Sequence, residues 1–293
     1  MPVGRVVQNI GGFQTVLTEE GELITCTARG RVKHAQGEIV VGDLVSYTVG
    51  PRGAVIEAVE PRRNLLPRPL VANVDQAVLV FALHDPEPSL LLIDRFLVGL
   101  QAAELAVLLC FNKMDLARPK EARELARYYQ SLGFRVVLTS ALTHEGKKKL
   151  LSHLYGRCSV FCGPSGVGKS ALINMVRPGA DLPTGEISPK LRRGRHTTRA
   201  ARLIPLGRGG FVVDTPGYTQ VDLEGLDRAA LLRAFPEIAA RSEDCRYRGC
   251  AHLAEPGCAV KEAVAQGLIP AARYDHYARF AAEIAAERPW SRS

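Results

Sequence analysis

Apolar residues recur at two different spacings along the chain, and the changes of spacing divide it into three parts. Between positions 3 and 59, short apolar runs alternate with turns that contain glycine, which is typical of strands in a small barrel. The predicted strands are residues 3–7, 13–17, 23–28, 44–49 and 55–59. Five short strands with tight reversals predict a five-stranded barrel.

Residues 62–69 contain two prolines, and a proline pushes the residue before it out of the helical region. We predict an extended connector here, with a domain boundary after residue 66. Beyond it, strand-like runs alternate with helical segments, which is typical of a parallel sheet covered by helices on both faces. The predicted strands are 76–83, 105–111, 134–138, 158–162 and 210–213, and the predicted helices are 90–103, 121–131 and 171–176.

Helical spacing dominates after about residue 221. Tyr274, Tyr277, Ala281 and Ile284 form one stripe of a final helix, and an aromatic stripe of this kind packs into a core more often than it stacks on bases. The sequence therefore predicts an α/β protein with three domains, at residues 1–66, 67–221 and 222–293.

The composition is that of a globular protein, with 46% hydrophobic and 23% charged residues. The net charge of +8 favours a polyanionic partner such as RNA or DNA. Charge alone leaves open a mildly basic protein that has no such partner. The basic residues between the third and fourth strands could likewise contact phosphates or form a solvated loop. They are Arg29, Arg31, Lys33 and His34.

Neither a secretory signal nor a membrane span is expected. The first ten residues hold no long apolar stretch, and the longest apolar runs fall well short of the roughly 20 residues that cross a bilayer. The seven cysteines are an odd number, which argues against a disulfide framework. We expect a cytoplasmic protein with reduced thiols, in which four cysteines are small core residues. These are Cys26, Cys110, Cys158 and Cys162.

A phosphate-binding loop is predicted between a strand and a helix, where two glycines five positions apart precede Lys169 and Ser170. The glycines let backbone N–H groups surround a β-phosphate. Lys169 offsets charge on the β and γ oxygens, which also makes it a candidate catalytic residue, and Ser170 offers a hydroxyl to Mg²⁺. The predicted contacts are Gly163, Pro164, Ser165, Gly166, Val167, Gly168, Lys169, Ser170 and Ala171.

Two later segments complete a nucleotide switch. Asp214 ends a predicted strand, where its carboxylate could hold Mg²⁺ through water, and the backbone N–H of Gly217 could respond to a γ-phosphate. Residues 194–198 lie between the phosphate loop and Asp214 and supply two hydroxyls. Of these, Thr198 is favoured over Thr197 as a metal ligand.

Guanine specificity is predicted for residues 112–115, which follow a strand. Asp115 can accept hydrogen bonds from guanine N1 and N2, a pair of donors that adenine lacks. Asn112 and Lys113 are expected to brace the loops, and the backbone of residues 139–141 can reach the guanine oxygen. The assigned residues are Asn112, Lys113, Met114, Asp115, Thr139, Ser140 and Ala141.

These base-reading segments precede the phosphate loop, whereas a conventional GTPase has the reverse order. A sheet tolerates such a permutation, because packing depends on which strands are neighbours and not on where the chain is cut. We therefore predict a circularly permuted GTPase domain.

A metal site is predicted near the C-terminus, where three cysteines and a histidine lie within fourteen residues. Three thiolates and an imidazole suit tetrahedral Zn²⁺, and four protein ligands leave no position for a substrate water, so the predicted role is structural. A redox role for the cysteines is the alternative, and the histidine together with Gly249 and Gly257 favours zinc. The ligands are Cys245, Cys250, His252 and Cys258.

The residue that orients the attacking water is not the usual glutamine. Tyr218 stands where many GTPases have a glutamine after the switch glycine, so intrinsic hydrolysis is expected to be slow. His196 is the candidate for this role, and a loop-packing or phosphate-binding histidine is the equal alternative.

The barrel, the permuted motif order, residues 194–198 and the cysteine and histidine cluster together resemble the RsgA family of small-ribosomal-subunit-dependent GTPases, also called YjeQ or YloQ. Residues 73–76 (NVDQ) and 235–237 (FPE) are further local matches. The resemblance spans essentially the whole chain. It implies an N-terminal OB-fold barrel, a permuted P-loop GTPase domain and a C-terminal helical zinc-binding domain.

The resemblance further implies that the protein docks on the small (30S) ribosomal subunit and its rRNA late in subunit maturation, and that this particle stimulates hydrolysis of GTP to GDP. We expect a monomer. Two other functions stay open on the residues alone. One is an RNA-binding switch in which GTP is a conformational ligand and turnover is incidental. The other is an ATP-using kinase with a phosphate loop, which Asp115 disfavours.

Overall fold

The computed structural model describes residues 1–29, 38–51, 53–67, 69–180, 182, 201–218, 223 and 225–287. Two predicted features, the basic residues Arg31, Lys33 and His34 and the switch segment 194–198, lie outside the described residues.

The N-terminal strands form a closed barrel. Their pairing order is β1-β2-β3-β5-β4, and β4 pairs with β1 to complete the circle. Alternate side chains point inward, and Val6, Val16, Val45 and Ile56 have no exposed surface. The predicted five-stranded barrel is confirmed. The strands are β1 (Val3–Ile10), β2 (Phe13–Thr18), β3 (Leu23–Ala28), β4 (Leu44–Gly50) and β5 (Gly53–Val59).

The connector after the barrel differs from the plain extended segment that its prolines predict, because it contains a hairpin of β6 (Leu65–Pro67) and β7 (Leu70–Ala72). Gly42 of the barrel lies against this hairpin with a φ of +92°, and a Cβ atom there would lie 2.1 Å from the Ala72 carbonyl oxygen. Arg62 also donates to the buried Asp43 carboxylate over 2.7 Å. The connector is therefore fixed to the barrel.

A six-stranded sheet follows, in the order β10-β9-β8-β11-β13-β12. Neighbouring strands from β10 to β13 run parallel, as predicted, and β12 is an antiparallel edge strand that the sequence analysis missed. Through a Gln8–Arg202 pair, β12 also contacts β1 of the barrel. The strands are β8 (Gln76–Ala82), β9 (Ala106–Asn112), β10 (Arg135–Leu138), β11 (Cys158–Cys162), β12 (Arg202–Gly207) and β13 (Gly210–Tyr218).

Helices cover both faces of this sheet. Apolar side chains of α1 and α2 belong to one buried cluster, and those of α3 and α4 belong to another. The central strands β8 and β11 are buried along their whole length, as expected for strands packed on both sides. The helices are α1 (Leu90–Ala102), α2 (Pro119–Ser131), α3 (Lys147–Leu154) and α4 (Lys169–Val176).

The C-terminal helices pack onto α1 and share its apolar cluster. The ring centroids of Phe235 and Tyr277 lie 5.5 Å apart inside it. A buried ion pair joins the two parts, since Arg273 Nη1 lies 2.7 Å from Asp94 of α1 and neither side chain is more than 1% exposed. These helices are α5 (Arg228–Arg233), α6 (Pro236–Ser242), α7 (Ala259–Ala265) and α8 (Ala271–Glu287).

Candidate nucleotide site and metal centre

The predicted nucleotide-binding segments meet at one edge of the sheet. Residues 112–115, 139–141 and 163–170 follow the carboxyl ends of β9, β10 and β11, and Asp214 lies towards the same end of β13. Because parallel strands end at a common edge, segments far apart in the sequence become neighbours there, and such edges are the usual ligand sites of α/β sheets.

Asn112 joins three of these segments. Its side-chain amide donates to the Val167 carbonyl oxygen of the phosphate loop over 3.0 Å. Its Oδ1 atom accepts from the Ala141 N–H at 3.1 Å and from the Thr139 hydroxyl at 3.2 Å. Asn112 is 2% exposed. Its polar atoms lose their hydrogen bonds to water when the protein folds, and these three bonds take their place. The segments predicted to read the base and to bind the phosphates therefore lie together, despite their inverted order in the chain.

The segment around Asp115 is arranged to present its carboxylate. Asp115 lies in a 3₁₀ turn (Met114–Leu116) and is exposed, while the hydroxyl of the buried Ser140 donates to one of its oxygens. The Ser140 oxygen in turn accepts from the Thr143 N–H at 3.1 Å. This chain of bonds orients the carboxylate that was assigned to guanine recognition.

Lys113 has a left-handed backbone, with a φ of +64°, and its ammonium group donates to the Asp85 carbonyl oxygen. Asp85 belongs to the segment that follows β8, and Pro86 beside it lies close to Gly166 of the phosphate loop. The sequence analysis missed this segment. The signal was present, however, because residues 83–86 follow the carboxyl end of a parallel strand that neighbours β11.

The phosphate loop has a backbone that only glycine can adopt at two points. Gly163 has a φ of +128°, and a Cβ atom there would lie 2.1 Å from the Val80 carbonyl oxygen. Gly168 has a φ of +93°, and a Cβ atom there would lie 2.4 Å from Asn112 Nδ2. The loop therefore follows a path set by its glycines and by contact with neighbouring strands.

Lys169 lies inside the curve of the loop, where its Nζ atom donates to the carbonyl oxygens of Gly163 at 2.7 Å and Pro164 at 2.6 Å. Burial lowers the pKa of its ammonium group, and a charge on the neighbouring Cys162 would act in the opposite direction. A half-buried cation at this position attracts anionic oxygens strongly, because little water screens it.

The predicted magnesium ligands in the described chain are a hydroxyl and a carboxylate. Ser170 lies in the first turn of α4, and Asp214 lies in β13, which is the neighbour of β11. Tyr218 pairs with Cys162, the residue before the phosphate loop, so the backbone of Gly217 lies beside that loop. Oxygen donors of this kind fit Mg²⁺. Thr198 and His196 lie outside the described residues.

The three cysteines and the histidine of the predicted metal site come together at a single point, with their ligand atoms all within 4.8 Å of one another. His252 Nδ1 lies 3.5 Å from the sulfurs of both Cys245 and Cys258, and those two sulfurs lie 3.9 Å apart. A tetrahedron with Zn–S bonds of about 2.3 Å has sulfurs about 3.8 Å apart. The cluster could therefore hold a tetrahedral metal ion.

The loop that carries these ligands is held by groups that the sequence analysis did not assign. Glu255 accepts from the backbone N–H groups of Ala251, Leu253 and Ala254, and these bonds lower its pKa to about 2. The hydroxyl of Tyr274 donates to the His252 carbonyl oxygen over 2.7 Å. Burial lowers the pKa of His252, which favours the neutral imidazole that binds metals.

Other predicted residues are structural. Tyr277 is fully buried and Tyr274 is partly buried, which confirms that this stripe packs inward. Burial raises the pKa of Cys110 and of Cys158 to about 12, so these thiols are inert. The four cysteines expected in the core are buried, namely Cys26, Cys110, Cys158 and Cys162.

The segment 73–76 fixes strands relative to one another. Asn73 accepts from the Arg63 N–H of the connector at 2.9 Å, and Asp75 accepts from the Cys158 N–H at 2.7 Å. Gln76 is fully buried and donates to Ser159 at 3.0 Å. These bonds hold β8 beside β11, which carries the phosphate loop.

Within the described residues, no helix is long and apolar enough to span a membrane.

Comparison with protein families gives two matches. The model of the RsgA GTPase domain matches residues 59–224, and the model of the RsgA N-terminal domain matches residues 3–54. Among curated proteins, the chain is 46% identical to the small ribosomal subunit biogenesis GTPase RsgA of Moorella thermoacetica, covering 98% of this chain and 99% of that protein. The protein of the same name from Carboxydothermus hydrogenoformans is 45% identical, with 97% of this chain and 98% of that protein covered.

Two solved structures resemble the chain over nearly its whole length. The crystal structure of YjeQ from Thermotoga maritima matches with a TM-score of 0.86 and 39% identity, covering 98% of this chain and 99% of that one. The crystal structure of YloQ, described as a circularly permuted GTPase, matches with a TM-score of 0.82 and 35% identity, covering 99% and 96%. The permuted order predicted from the motifs is thus that of a solved fold.

Proposed function

The chain belongs to the RsgA GTPase family, a family of GTP hydrolases, and from this premise we propose that it acts in maturation of the small ribosomal subunit and hydrolyses GTP in response to that particle. The observation that carries the nucleotide part is a pair of bonds at Asn112, whose side chain donates to the Val167 carbonyl oxygen and accepts from the Ala141 N–H. They support a single site that is shared by the proposed base-reading and phosphate-binding segments. The subunit part is supported by the names of relatives that match over the full length.

In the proposed site, the phosphates are held by the backbone N–H groups of residues 163–171 other than Pro164, which lines the loop without donating. Lys169 moves its ammonium group from loop carbonyls to the β and γ oxygens. Asp115 accepts from the guanine edge, and the backbone of Thr139, Ser140 and Ala141 meets the guanine oxygen. Met114 completes the turn beneath the base. Gly217 donates its N–H to the γ-phosphate and couples hydrolysis to the segment that leads into the C-terminal helices.

Ser170, Asp214 and Thr198 are the proposed ligands of Mg²⁺, which when bound neutralises charge on the phosphate oxygens. His196 is the proposed water-orienting residue. A His196→Ala variant that kept its full subunit-stimulated rate would contradict that role. The metal proposed for Cys245, Cys250, His252 and Cys258 is a structural Zn²⁺.

The position after Gly217 is occupied by Tyr218, which lacks the amide that orients water in many GTPases. Slow intrinsic turnover with acceleration by the partner is the consequence that we expect. The deciding experiment measures the rate of phosphate release with and without purified small subunits. A rate that subunits leave unchanged would favour the alternative, a GTP-gated RNA-binding switch in which turnover is incidental.

A second experiment tests partner and switch together. The protein is sedimented with small subunits in GTP, in GDP and in a non-hydrolysable analogue, and binding is expected to depend on the nucleotide. Equal binding in all three states would leave only a constitutive RNA binder. We propose that the protein works as a monomer in the cytoplasm. Sedimentation velocity of the free protein measures its oligomeric state.

A further inference from the structure

A basic groove lies at the edge of the sheet, outside the nucleotide site. It has a volume of about 310 Å³ and runs between α2 and the edge strand β10. Val136 and Leu138 of β10 form its apolar floor, and Arg123, Arg127 and Lys149 supply its charge. Among the described residues that line this groove, none carries a carboxylate.

The three cations have no partner inside the described chain, where neither a hydrogen bond nor an ion pair involves their side chains. Arg118, at the start of the same helix, does pair with Glu121 over 3.2 Å. Arg123 and Arg127 are one helical turn apart, where like charges repel. The arrangement is unfavourable for the isolated fold and favourable for an anionic ligand.

The positive field extends beyond the groove. His153 of α3 has a pKa that is lowered first by burial and then by the charges of Arg135, Lys149 and Arg157. Lys149 therefore belongs both to the groove and to a set of cations around His153. Cations spread over α2, α3 and β10 fit a polymer of phosphates better than a single phosphate group.

The groove also lies beside the base-reading segment. Leu138 of its floor directly precedes Thr139, whose carbonyl oxygen accepts from the Met114 N–H at 3.1 Å. A polymer held in the groove thus contacts the strand that leads into the guanine site.

We propose that the groove of Arg123, Arg127 and Lys149 is a docking site for an RNA phosphate backbone, used when the protein binds the small ribosomal subunit. This inference rests on the proposed function for its biological setting. Phosphate contacts carry little sequence information and position a protein on its nucleic acid. The groove accordingly sets the orientation of the GTPase domain on the particle, and does not read a base sequence.

The test compares the full chain with a triple variant, Arg123→Gln, Arg127→Gln and Lys149→Gln. A matched control removes three other exposed cations that have no partner in the described chain, by Arg233→Gln, Arg241→Gln and Lys261→Gln. The affinity for purified small subunits and for protein-free small-subunit rRNA is measured over a series of salt concentrations. Unstimulated GTP hydrolysis, expected to be unchanged, reports that the variants are folded.

The groove variant is expected to bind both partners at least about tenfold more weakly than the control, with the slope of log affinity against log salt reduced by about 2 to 3. Arg123→Lys with Arg127→Lys is expected to keep most of that slope, because the charges remain.

Equal affinity and slope for the groove and control variants would overturn the inference. Loss of subunit binding with unchanged binding to protein-free rRNA would assign the groove to a protein partner and overturn the RNA assignment. Failure of the unmodified chain to bind subunits at all would instead refute the proposed function.

Discussion

Asn112 donates its side-chain amide to the backbone carbonyl of Val167, 55 residues later in the chain, over 3.0 Å. One residue thereby ties the segment assigned to the base to the loop assigned to the phosphates. A buried amide has one acceptor and two donor hydrogens, and here the acceptor also serves Ala141 and Thr139. In the proposed nucleotide site, the phosphate loop is therefore held by a residue of the segment assigned to the base.

Asn112→Ala is expected to lower the free energy of unfolding by about 2 to 4 kcal/mol, because it leaves the buried Val167 carbonyl and the half-buried Ala141 N–H without the Asn112 side chain as partner. GTP affinity should fall by about 10- to 100-fold as the phosphate loop loses its support. Asn9→Ala is the control, because it removes a similar side-chain to backbone bond from the barrel. Asn9 donates to the Ile39 carbonyl oxygen over 2.7 Å. Chemical denaturation and GTP titration of both variants check this, and equal GTP affinities would contradict it.

Asp115→Asn is expected to weaken GTP binding by about 100-fold, because an amide in place of the carboxylate sets a donor against the guanine donors. Xanthosine triphosphate, which carries a carbonyl where guanine has its amino group, should gain affinity. Nucleotide competition measures both changes. Glu121→Gln removes an exposed carboxylate from α2 and should alter neither affinity. A variant that kept its preference for GTP would remove Asp115 from the base site.

Gly168→Ala and Gly179→Ala form a matched pair, because both glycines have a positive φ, at +93° and +84°. A Cβ atom at Gly179 meets nothing within 4 Å, whereas one at Gly168 lies 2.4 Å from Asn112 Nδ2. Both variants should lose about 1 to 2 kcal/mol of stability from backbone strain. Only Gly168→Ala should also lose GTP binding, which calorimetric titration measures. Comparable GTP binding in the pair would show that the close approach of Gly168 to Asn112 is unimportant.

The purified protein is expected to contain one zinc ion per chain, and Cys258→Ala should remove it and lower the melting temperature by several degrees, since a structural metal contributes directly to folding. Cys158→Ala is the control, because Cys158 is an equally buried thiol in β11 that lies outside the cluster. Its variant should keep the metal. Elemental analysis measures the zinc content per chain of both variants. Full zinc content in Cys258→Ala would refute the ligand assignment.

Asp94→Asn is expected to cost about 3 kcal/mol, because it removes the more deeply buried of the two carboxylates that pair with the buried guanidinium of Arg273. Glu283→Gln breaks the more exposed pair with Arg95 on the same two helices, and should cost at most about 1 kcal/mol. Urea denaturation of both variants measures the difference. Similar costs would mean that Glu237, which also accepts from Arg273 at 2.6 Å, compensates for Asp94.

Some elements could be predicted well because their signal is local. The strand Leu23–Ala28 and the strand Cys158–Cys162 have the predicted bounds, since apolar side chains at strand spacing lie between glycine-rich or polar turns. The cysteine and histidine cluster was also recognisable, because four residues within one short loop can reach a common point whatever the rest of the chain does.

Other features depended on distant parts of the chain. The antiparallel strand Arg202–Gly207 exists because Gly210–Tyr218 lies beside it, and the connector forms a hairpin because Leu66 can pair with Val71. The contact of Lys113 with Asp85 likewise needs two strands to be neighbours. No local spacing encodes such pairs.

The sequence by itself determined the candidate chemistry of this protein: the loop glycines, the lysine, the carboxylate proposed to read guanine and the cluster proposed to hold a metal are properties of residue type and order. Only the tertiary structure decided that Asn112 meets Val167, that Asp94 and Glu237 both pair with Arg273, and that Arg123, Arg127 and Lys149 line one groove. The physical reason is that side-chain chemistry belongs to each residue, whereas the partners of a side chain depend on how strands and helices pack.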